Sequence, residues 1–272
     1  MSEYEEELSV AREAARKGSE VIKQYSAGKA YEVDLKGKND LVTDADLETE
    51  KAILEVIRDA FPGDQIMAEE SAGAKKVPEE RTWLVDPIDG TTNFTHGFPI
   101  YCVSVAMWEN RKPRVGVVLE VCREELYSAA DGHGAYLNGS EITVSENYDP
   151  AETLIGTGFP YRDMSLLDNY MSMFEYLVHR THGLRRPGSA AYDLCCVAAG
   201  RFDGFYEYSL NAWDVAAASL LIREAGGVVT DWEGGEDWLF GKRILGGNRK
   251  IHQFLLNAVE EHFTPEERKA KT

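Results

Sequence analysis

The stretch WLVDPIDGTTNF, residues 83–94, joins a short apolar run to two closely spaced carboxylates. The run before Asp86 has the β-branched and aromatic composition of a buried strand. Pro87 removes a backbone donor, so Asp86 is predicted to lie at the strand end. Asp89 follows three residues later, and the Ile88 carbonyl lies between the two carboxylates. Because magnesium prefers hard oxygen ligands of this kind, the stretch predicts a metal site.

The residues that follow Asp89 are suited to holding an anion beside a cation. Gly90 allows the backbone to approach a ligand closely, and Thr91, Thr92 and Asn93 offer N–H groups and hydroxyls at a predicted helix start. An ordinary Asp-Gly turn is the alternative, because this dipeptide marks turns in many proteins. The whole string D-P-x-D-G-T-T is far less common than the dipeptide, and it favours a combined metal and phosphate site.

The composition indicates a globular protein and limits its partners. The 272-residue chain is 43% hydrophobic and 10% aromatic, which is typical of one large domain or two modest ones. Its 29 Lys and Arg against 47 Asp and Glu leave a net charge of −18, which disfavours nucleic acid and anionic membranes as partners. Residues 1–20 lack the apolar centre of a signal peptide, and no run is long enough to span a membrane, so a cytoplasmic location is expected.

Alternating helical and strand patterns predict an α/β fold built of layers. A second helix should open with a capping box at Thr43–Asp46 and bury Leu47, Leu54, Ile57 and Phe61. The other helices are predicted at 4–25, 166–178, 189–199, 214–225 and 250–262, and the strands at 31–35, 65–68, 82–85, 99–108, 114–122, 125–130, 154–158, 184–186, 205–207, 228–230 and 244–245. A loop with Lys75, Lys76 and Pro78 precedes the central stretch. A boundary near Asn147–Pro150 is predicted to divide two α/β subdomains, 1–148 and 149–272.

The cysteines do not indicate a metal site or a disulfide framework. Cys102, Cys122, Cys195 and Cys196 lie in apolar surroundings and lack zinc spacing. We therefore interpret all of them as reduced core residues.

Two further carboxylates are placed to join the first pair. Glu69 comes directly after a predicted strand, as Asp86 does, so neighbouring strands of one sheet would bring both side chains to one edge. Asp214 opens a run of small apolar residues that predicts a tightly packed helix. Helix capping alone explains an aspartate at such a position, so spacing leaves both capping and metal binding open for Asp214.

The string at Asp86–Thr92 resembles the signature of the inositol monophosphatase family. Two further segments carry the same resemblance: W-D-V-A-A at 213–217 with E-A-G-G at 224–227, and E-E-S at 69–71, where this chain has Ala68 in place of the usual glycine. The family comprises magnesium-dependent phosphatases that share a layered fold with the fructose-1,6-bisphosphatases. The resemblance implies a five-layer αβαβα sandwich of the sugar phosphatase type.

The metal ligands follow from the residues together with this resemblance. One ion is expected on Glu69, Asp86 and the Ile88 carbonyl, and a second on Asp86, Asp89 and Asp214. The family implies a third, weaker ion near Glu69, so the expected cofactor is two to three Mg²⁺ ions, and it implies inhibition by lithium. A water whose pKa is lowered by magnesium is the expected nucleophile for in-line attack on phosphorus.

The catalytic and substrate residues are also expected from the resemblance. Thr91 should orient or deprotonate the water, with Glu69 assigned to catalysis as well. Because a neutral threonine is a poor base, it needs a carboxylate behind it, and Asp46 matches the family residue in that role. The phosphate is expected on backbone N–H groups, where fixed dipoles stabilise developing charge. The substrate-binding residues are expected to be Asp89, Gly90, Thr91, Gly188, Ser189, Ala190, Glu207 and Asp214.

The expected function is hydrolysis of myo-inositol monophosphate by a magnesium-dependent phosphomonoesterase, with a small sugar or polyol phosphate as partner and a homodimer as assembly. Fructose 1,6-bisphosphate, histidinol phosphate and 3'-phosphoadenosine 5'-phosphate remain alternative substrates, because related enzymes share the core string. The continuation at Thr92–Phe94 and Glu207 favour the inositol type. A non-enzymatic regulatory or polyanion-binding protein is the second alternative, since fold does not dictate function.

Overall fold

The computed structural model describes residues 3–28, 30, 32–37, 40–71, 79–161 and 163–269. The helices of these residues are α1 (Glu5–Ser26), α2 (Asp44–Ala60), α3 (Thr91–Thr95), α4 (Leu167–Val178), α5 (Ala190–Ala198), α6 (Ala212–Glu224), α7 (Arg249–His262) and α8 (Pro265–Arg268), with a 3₁₀ helix at Pro150–Glu152. The strands are β1 (Val33–Gly37), β2 (Asp40–Thr43), β3 (Gln65–Ala68), β4 (Thr82–Asp89), β5 (Cys102–Glu109), β6 (Lys112–Glu120), β7 (Glu125–Ala130), β8 (Ala135–Leu137), β9 (Ser140–Ile142), β10 (Leu154–Thr157), β11 (Gly183–Arg185), β12 (Gly204–Tyr208), β13 (Val228–Thr230) and β14 (Arg243–Gly247).

Two mixed sheets organise these strands, beside the short antiparallel pair β1 and β2. The larger sheet has the order β3-β4-β5-β6-β7-β8-β9, in which β3 and β4 are parallel and the remaining neighbours are antiparallel. The smaller sheet has the order β11-β10-β12-β14-β13, in which β10 is parallel to both of its neighbours. This arrangement confirms the predicted α/β class.

Helices cover both faces of each sheet and produce five layers. On one face of the larger sheet, α1 and α2 bury Ile22, Ile53 and Trp83 completely. The helices α5 and α6 pack between the two sheets, and α4 and α7 pack on the far face of the smaller sheet. The αβαβα sandwich expected from the family resemblance is therefore confirmed.

The helix α2 begins at the position that its local sequence predicts. Thr43 is the N-cap, its hydroxyl accepts from the Asp46 N–H at 3.4 Å, and Asp46 Oδ2 accepts from the Thr43 N–H at 2.8 Å. The predicted capping box is confirmed. Leu54 and Ile57 are buried as predicted, but Leu47 is 52% exposed. Leu47 lies beyond the edge of the buried face, because that face is centred on the row through Asp46 and Ile53.

Three local predictions are wrong. The strand β4 does not end at Asp86 but continues to Asp89, because an irregularity in its register with β5 accommodates Pro87. The N-cap of α6 is Asn211, so Asp214 is the third residue of the helix and does not open it. Cys122 is exposed because it lies in the turn between β6 and β7, whereas the other three cysteines are buried.

The division into subdomains 1–148 and 149–272 stays a prediction. The predicted boundary falls between the last strand of the larger sheet and the first strand of the smaller one. However, α5 and α6 from the second half of the chain pack directly on strands of the first half. Tyr31 and the predicted loop at Lys75, Lys76 and Pro78 lie outside the described residues. None of the helices described is long and apolar enough to cross a bilayer.

Candidate active site

The residues predicted to bind metal and substrate meet in one cavity of about 550 Å³. Those that line it are Glu69, Asp86, Ile88, Asp89, Gly90, Thr91, Gly188, Ser189, Ala190, Glu207 and Asp214. Asp46, the remaining predicted residue, lies behind Thr91. Both halves of the chain therefore contribute to a single site.

Glu69 and Asp86 are brought together by the parallel pairing of β3 with β4. The register aligns Ala68 with Val85. The Glu69 N–H then donates to the Val85 carbonyl at 3.1 Å. Glu69 and Asp86, the residues after Ala68 and Val85, therefore lie beside each other where β3 ends, although β4 continues beyond Asp86.

Asp86 is a buried carboxylate in this cavity, surrounded by other carboxylates. Its side chain is 2% exposed, and its Oδ1 atom has no hydrogen-bond partner within the described part of the chain. Burial raises the pKa of Asp86 well above its usual range, and the nearby charges of Glu69, Asp89 and Asp214 raise it further. A buried oxygen without a partner, among several carboxylates, fits a divalent cation that would neutralise the group.

The carboxylates share the cavity without being gathered at one point. Across the described ranges, no three His, Cys, Asp or Glu side chains surround a common centre as metal ligands do. We therefore treat the assignment of Glu69, Asp86, Ile88, Asp89 and Asp214 to magnesium as a proposal. Its support is the orphaned Asp86 oxygen and the concentration of buried negative charge.

Asp89 is held in place by the start of α5, across the interface between the two sheets. Its Oδ2 atom accepts from the Ser189 hydroxyl at 2.7 Å and from the Ala191 N–H at 2.7 Å. Burial raises the pKa of Asp89 to about 6, although these two hydrogen bonds act in the opposite direction. Ser189, which the resemblance assigns to the substrate, thus positions Asp89 and caps α5. A direct contact between Ser189 and substrate stays a prediction.

Thr91 and Asp46 are in contact, as the resemblance implied. The Thr91 hydroxyl lies 3.2 Å from Asp46 Oδ1 and 3.0 Å from the Ile88 carbonyl, so its proton has two acceptors. Asp46 is completely buried, and its Oδ2 accepts from the N–H of Thr43 at 2.8 Å and from the Thr43 hydroxyl at 2.6 Å. The capping box of α2 therefore aims the other oxygen of Asp46 at Thr91.

The turn between β4 and α3 needs glycine, and a neighbouring asparagine secures it. Gly90 has a φ of 100°, and a Cβ at this position would lie 3.0 Å from the Ile100 carbonyl. The Asn93 side chain donates to the carbonyls of Ile100 at 2.8 Å and Pro187 at 2.9 Å. Asn93 thus ties α3 to the loop before α5. The sequence analysis missed this role, and no local pattern signals it.

Asp193 is a further cavity residue that the sequence analysis missed. It is 1% exposed, and its Oδ1 atom lacks a hydrogen-bond partner among the described residues. Burial raises the pKa of Asp193 well above its usual range, the charges of Glu207 and Asp89 raise it further, and Arg186 acts in the opposite direction. The available signal was a single aspartate within the otherwise apolar helix AAYDLCCVA.

Glu207 and Asp214 enter the cavity from the smaller sheet and from α6. Glu207 lies on β12 and is 9% exposed. Its side chain packs against Gly158, where a Cβ atom would lie only 1.9 Å from Glu207 Oε1. Asp214 Oδ2 accepts from the Asn211 N–H at 2.8 Å, which completes a capping box. Capping is therefore an observed role of Asp214, and ligation of a cation stays a proposal.

Comparison with known proteins identifies the family. The profile of the inositol monophosphatase family matches residues 3–264. The chain belongs to this family.

The putative Nus factor SuhB of Neisseria meningitidis serogroup B is 40% identical over 256 residues, covering 94% of this chain and 98% of that relative. The inositol-1-monophosphatase of Synechocystis sp. is 43% identical over 254 residues, covering 93% and 88% of the two chains. The crystal structure of the extragenic suppressor protein SuhB from Bartonella henselae superimposes with a TM-score of 0.89, at 37% identity, covering 94% and 98% of the chains.

The stabilisation of this family member by magnesium should depend on pH. The pKa of Asp89 is raised to about 6 by burial, above the ordinary value of about 3.9. The metal-free fold therefore loses stability as pH rises from about 4 to about 6, and below about pH 6 a proton on Asp89 competes with a cation. We expect saturating Mg²⁺ to raise the melting temperature more at about pH 7.5 than at about pH 5. Thermal unfolding with and without Mg²⁺ measures this, and an equal gain at both pH values would contradict it.

Proposed function

We propose that this protein is a magnesium-dependent phosphomonoesterase whose substrate is myo-inositol monophosphate. Membership of the inositol monophosphatase family supports a phosphatase. The observation that carries the proposal is one cavity that combines six carboxylates with the Thr91–Asp46 pair. The name of the Synechocystis relative, inositol-1-monophosphatase, supports the inositol ester over other small phosphates.

The residues of the chain can activate a water without rearrangement of their contacts. The Thr91 hydroxyl donates its proton to Asp46 or to the Ile88 carbonyl, so its lone pairs are free to accept a proton from a water in the cavity. Asp46 can take the threonine proton as the water proton arrives, because Thr43 already holds its other oxygen. The water then attacks phosphorus in line, and the alcohol leaves on the opposite side.

The phosphate group and the alcohol group of the substrate are assigned to different residues of the cavity. When bound, magnesium supplies positive charge that polarises the phosphoryl group and lowers the pKa of water. Glu69, Asp86, Ile88, Asp89 and Asp214 would hold it. The N–H groups of Gly90, the N-cap of α3, and of Thr91, its first residue, are the proposed contacts of the phosphate. The alcohol is placed towards Gly188, Ser189, Ala190 and Glu207.

Phosphate release from four esters tests the proposal. We expect the highest kcat/KM with myo-inositol 1-phosphate, ahead of fructose 1,6-bisphosphate, histidinol phosphate and 3'-phosphoadenosine 5'-phosphate. Chelation should remove the activity, millimolar Mg²⁺ should restore it, and lithium should inhibit. Full activity after exhaustive chelation would overturn the metal requirement. A higher kcat/KM for another ester would overturn the inositol assignment alone.

Glu207→Gln is expected to raise KM for inositol monophosphate about tenfold while changing kcat little. A hydrogen bond from a hydroxyl to a carboxylate is worth more than one to a neutral amide, and this contact is remote from phosphorus. The control substrate is 4-nitrophenyl phosphate, which has no polyol hydroxyls and should be hydrolysed by the variant as by the wild type. An equal loss with both substrates would indicate a folding role for Glu207.

The relatives named Nus factor SuhB supply a second candidate, a Nus factor role for this chain. The observation in its favour is 40% identity over 94% of the chain to a protein with that name. The expected absence of a nucleic-acid partner and the expected homodimer both stay predictions. Failure of the folded, magnesium-loaded protein to hydrolyse any of the four esters would favour this second candidate over the phosphatase.

A further inference from the structure

A second cavity, of about 610 Å³, lies between α1 and the larger sheet. Three cationic residues of α1, Arg12, Arg16 and Lys23, line one side of it, where their spacing places them along one helix face. The rest of its lining comes from Ser19, Glu20, Leu119, Glu124, Leu126, Ser128, Asn138 and Gly139. The cavity shares no lining residue with the candidate active site.

Two of these cations form no ion pair with any residue that the structure describes, although the full sequence carries a net charge of −18. Among the described residues, no ion pair involves Arg12 or Arg16. Lys23 does pair with Glu124, and both of those side chains are largely exposed. Glu20, the other carboxylate of the lining, pairs with Lys17. Three cations against two carboxylates leave the lining with one net positive charge, and the cations without an ion pair in the described part of the chain are the two arginines.

The charged side chain of Arg12 is held in a partly buried position. It is half-buried, and its Nη2 atom donates to the Ser128 hydroxyl at 2.9 Å. Burial lowers the pKa of Arg12, the neighbouring charge of Arg16 lowers it further, and the carboxylate of Glu5 acts in the opposite direction. Arg12 and Arg16 lie one turn apart on the same face of α1, so their like charges repel, and an oxyanion between them would offset that repulsion.

We propose that this second cavity binds the phosphate group of a small molecule, held by Arg12 and Arg16. The planar fork of a guanidinium matches two phosphate oxygens, and Lys23 and the Ser19 hydroxyl lie along the same helix face to support it. The concave shape admits a compact ligand, and the acidic surroundings repel a long polyanion. The site does not depend on the proposed hydrolysis.

Calorimetric titration with inorganic pyrophosphate tests the site. The protein is first freed of divalent cations by chelation and gel filtration, so the carboxylates of the candidate active site repel the probe. We expect wild-type protein to bind one pyrophosphate, and Arg16→Gln to bind it at least about tenfold more weakly, the effect of one lost charge-assisted contact. The matched control is Lys250→Gln, which loses one positive charge from an exposed position of α7, outside the cavity.

Three results would overturn the site, and the last concerns Asp86→Asn. One is the absence of binding to wild-type protein at up to about 10 mM pyrophosphate. A second is equal weakening in Arg16→Gln and Lys250→Gln, which would show a diffuse effect of net charge. Because Arg16 is exposed, its replacement should leave the fold intact, and circular dichroism checks this. Asp86→Asn should bind pyrophosphate as the wild type does, and tighter binding in that variant would relocate the probe to the active-site cavity.

Discussion

Asp86→Asn is expected to lower kcat/KM for phosphate release by about 10³-fold or more, yet to make the metal-free protein more stable. The variant keeps the size of the side chain but removes the charge proposed to bridge two cations. Asp86 is 2% exposed and its Oδ1 atom has no partner within the described ranges, so the loss of charge at that atom breaks no hydrogen bond. The repulsion from Glu69, Asp89 and Asp214 that raises its pKa is relieved at the same time.

Asp203→Asn provides the matched control for stability. Asp203 is 7% exposed, and its two oxygens accept from the Ser145 hydroxyl at 2.6 Å and the Leu154 N–H at 2.7 Å. Asparagine offers only one acceptor oxygen, so this control should lose about 1–3 kcal/mol by leaving a buried donor unpaired. Chemical denaturation without metal measures both variants. A destabilised Asp86→Asn protein, or one with wild-type turnover, would contradict a cation at this carboxylate.

Thr91→Ala is expected to reduce kcat about 10²-fold while the response of the melting temperature to Mg²⁺ stays close to that of the wild type. The hydroxyl is placed to pass a proton from water to Asp46, which lies 3.2 Å away, and it is not among the proposed metal ligands. Alanine is well tolerated at the first position of α3, so the loss should come from chemistry and not from folding.

Two control substitutions test whether the loss comes from the Thr91 hydroxyl itself. One keeps the hydroxyl and removes the methyl group, and the other removes the hydroxyl of the next residue. Thr91→Ser retains the hydroxyl and should restore most of the turnover. Thr92→Ala removes the adjacent hydroxyl, which lines the same cavity and has no part in the proposed proton transfer, and this variant should retain the turnover too. Steady-state kinetics at saturating Mg²⁺ measures all three variants. If Thr91→Ala turned over at the wild-type rate, the water would be activated without this side chain.

The local sequence was sufficient to predict those features that depend on interactions between residues close together in the chain. The capping box that joins Thr43 to Asp46 was predictable because a side chain and an N–H three residues apart form it. The strand Gln65–Ala68 and the helix start near Leu167 follow from apolar spacing in the same way. The carboxylates of the central stretch, and the resemblance of that stretch to a family, could be recognised from the sequence alone. These features depend on neighbours in the chain.

The tertiary structure decided how those residues meet. Ser189 donates to Asp89 from 100 residues away, and Asn93 reaches Pro187 across 94 residues. No local pattern encodes such contacts, because they depend on how α5 packs between the two sheets. The same packing buries Asp193 beside the cavity, and the packing of α1 on the larger sheet places Arg12 at Ser128. Sequence determined which groups can carry charge and donate protons, whereas packing decided their burial, their neighbours and hence their pKa values, because desolvation and Coulomb energy depend on distances that only the folded chain sets.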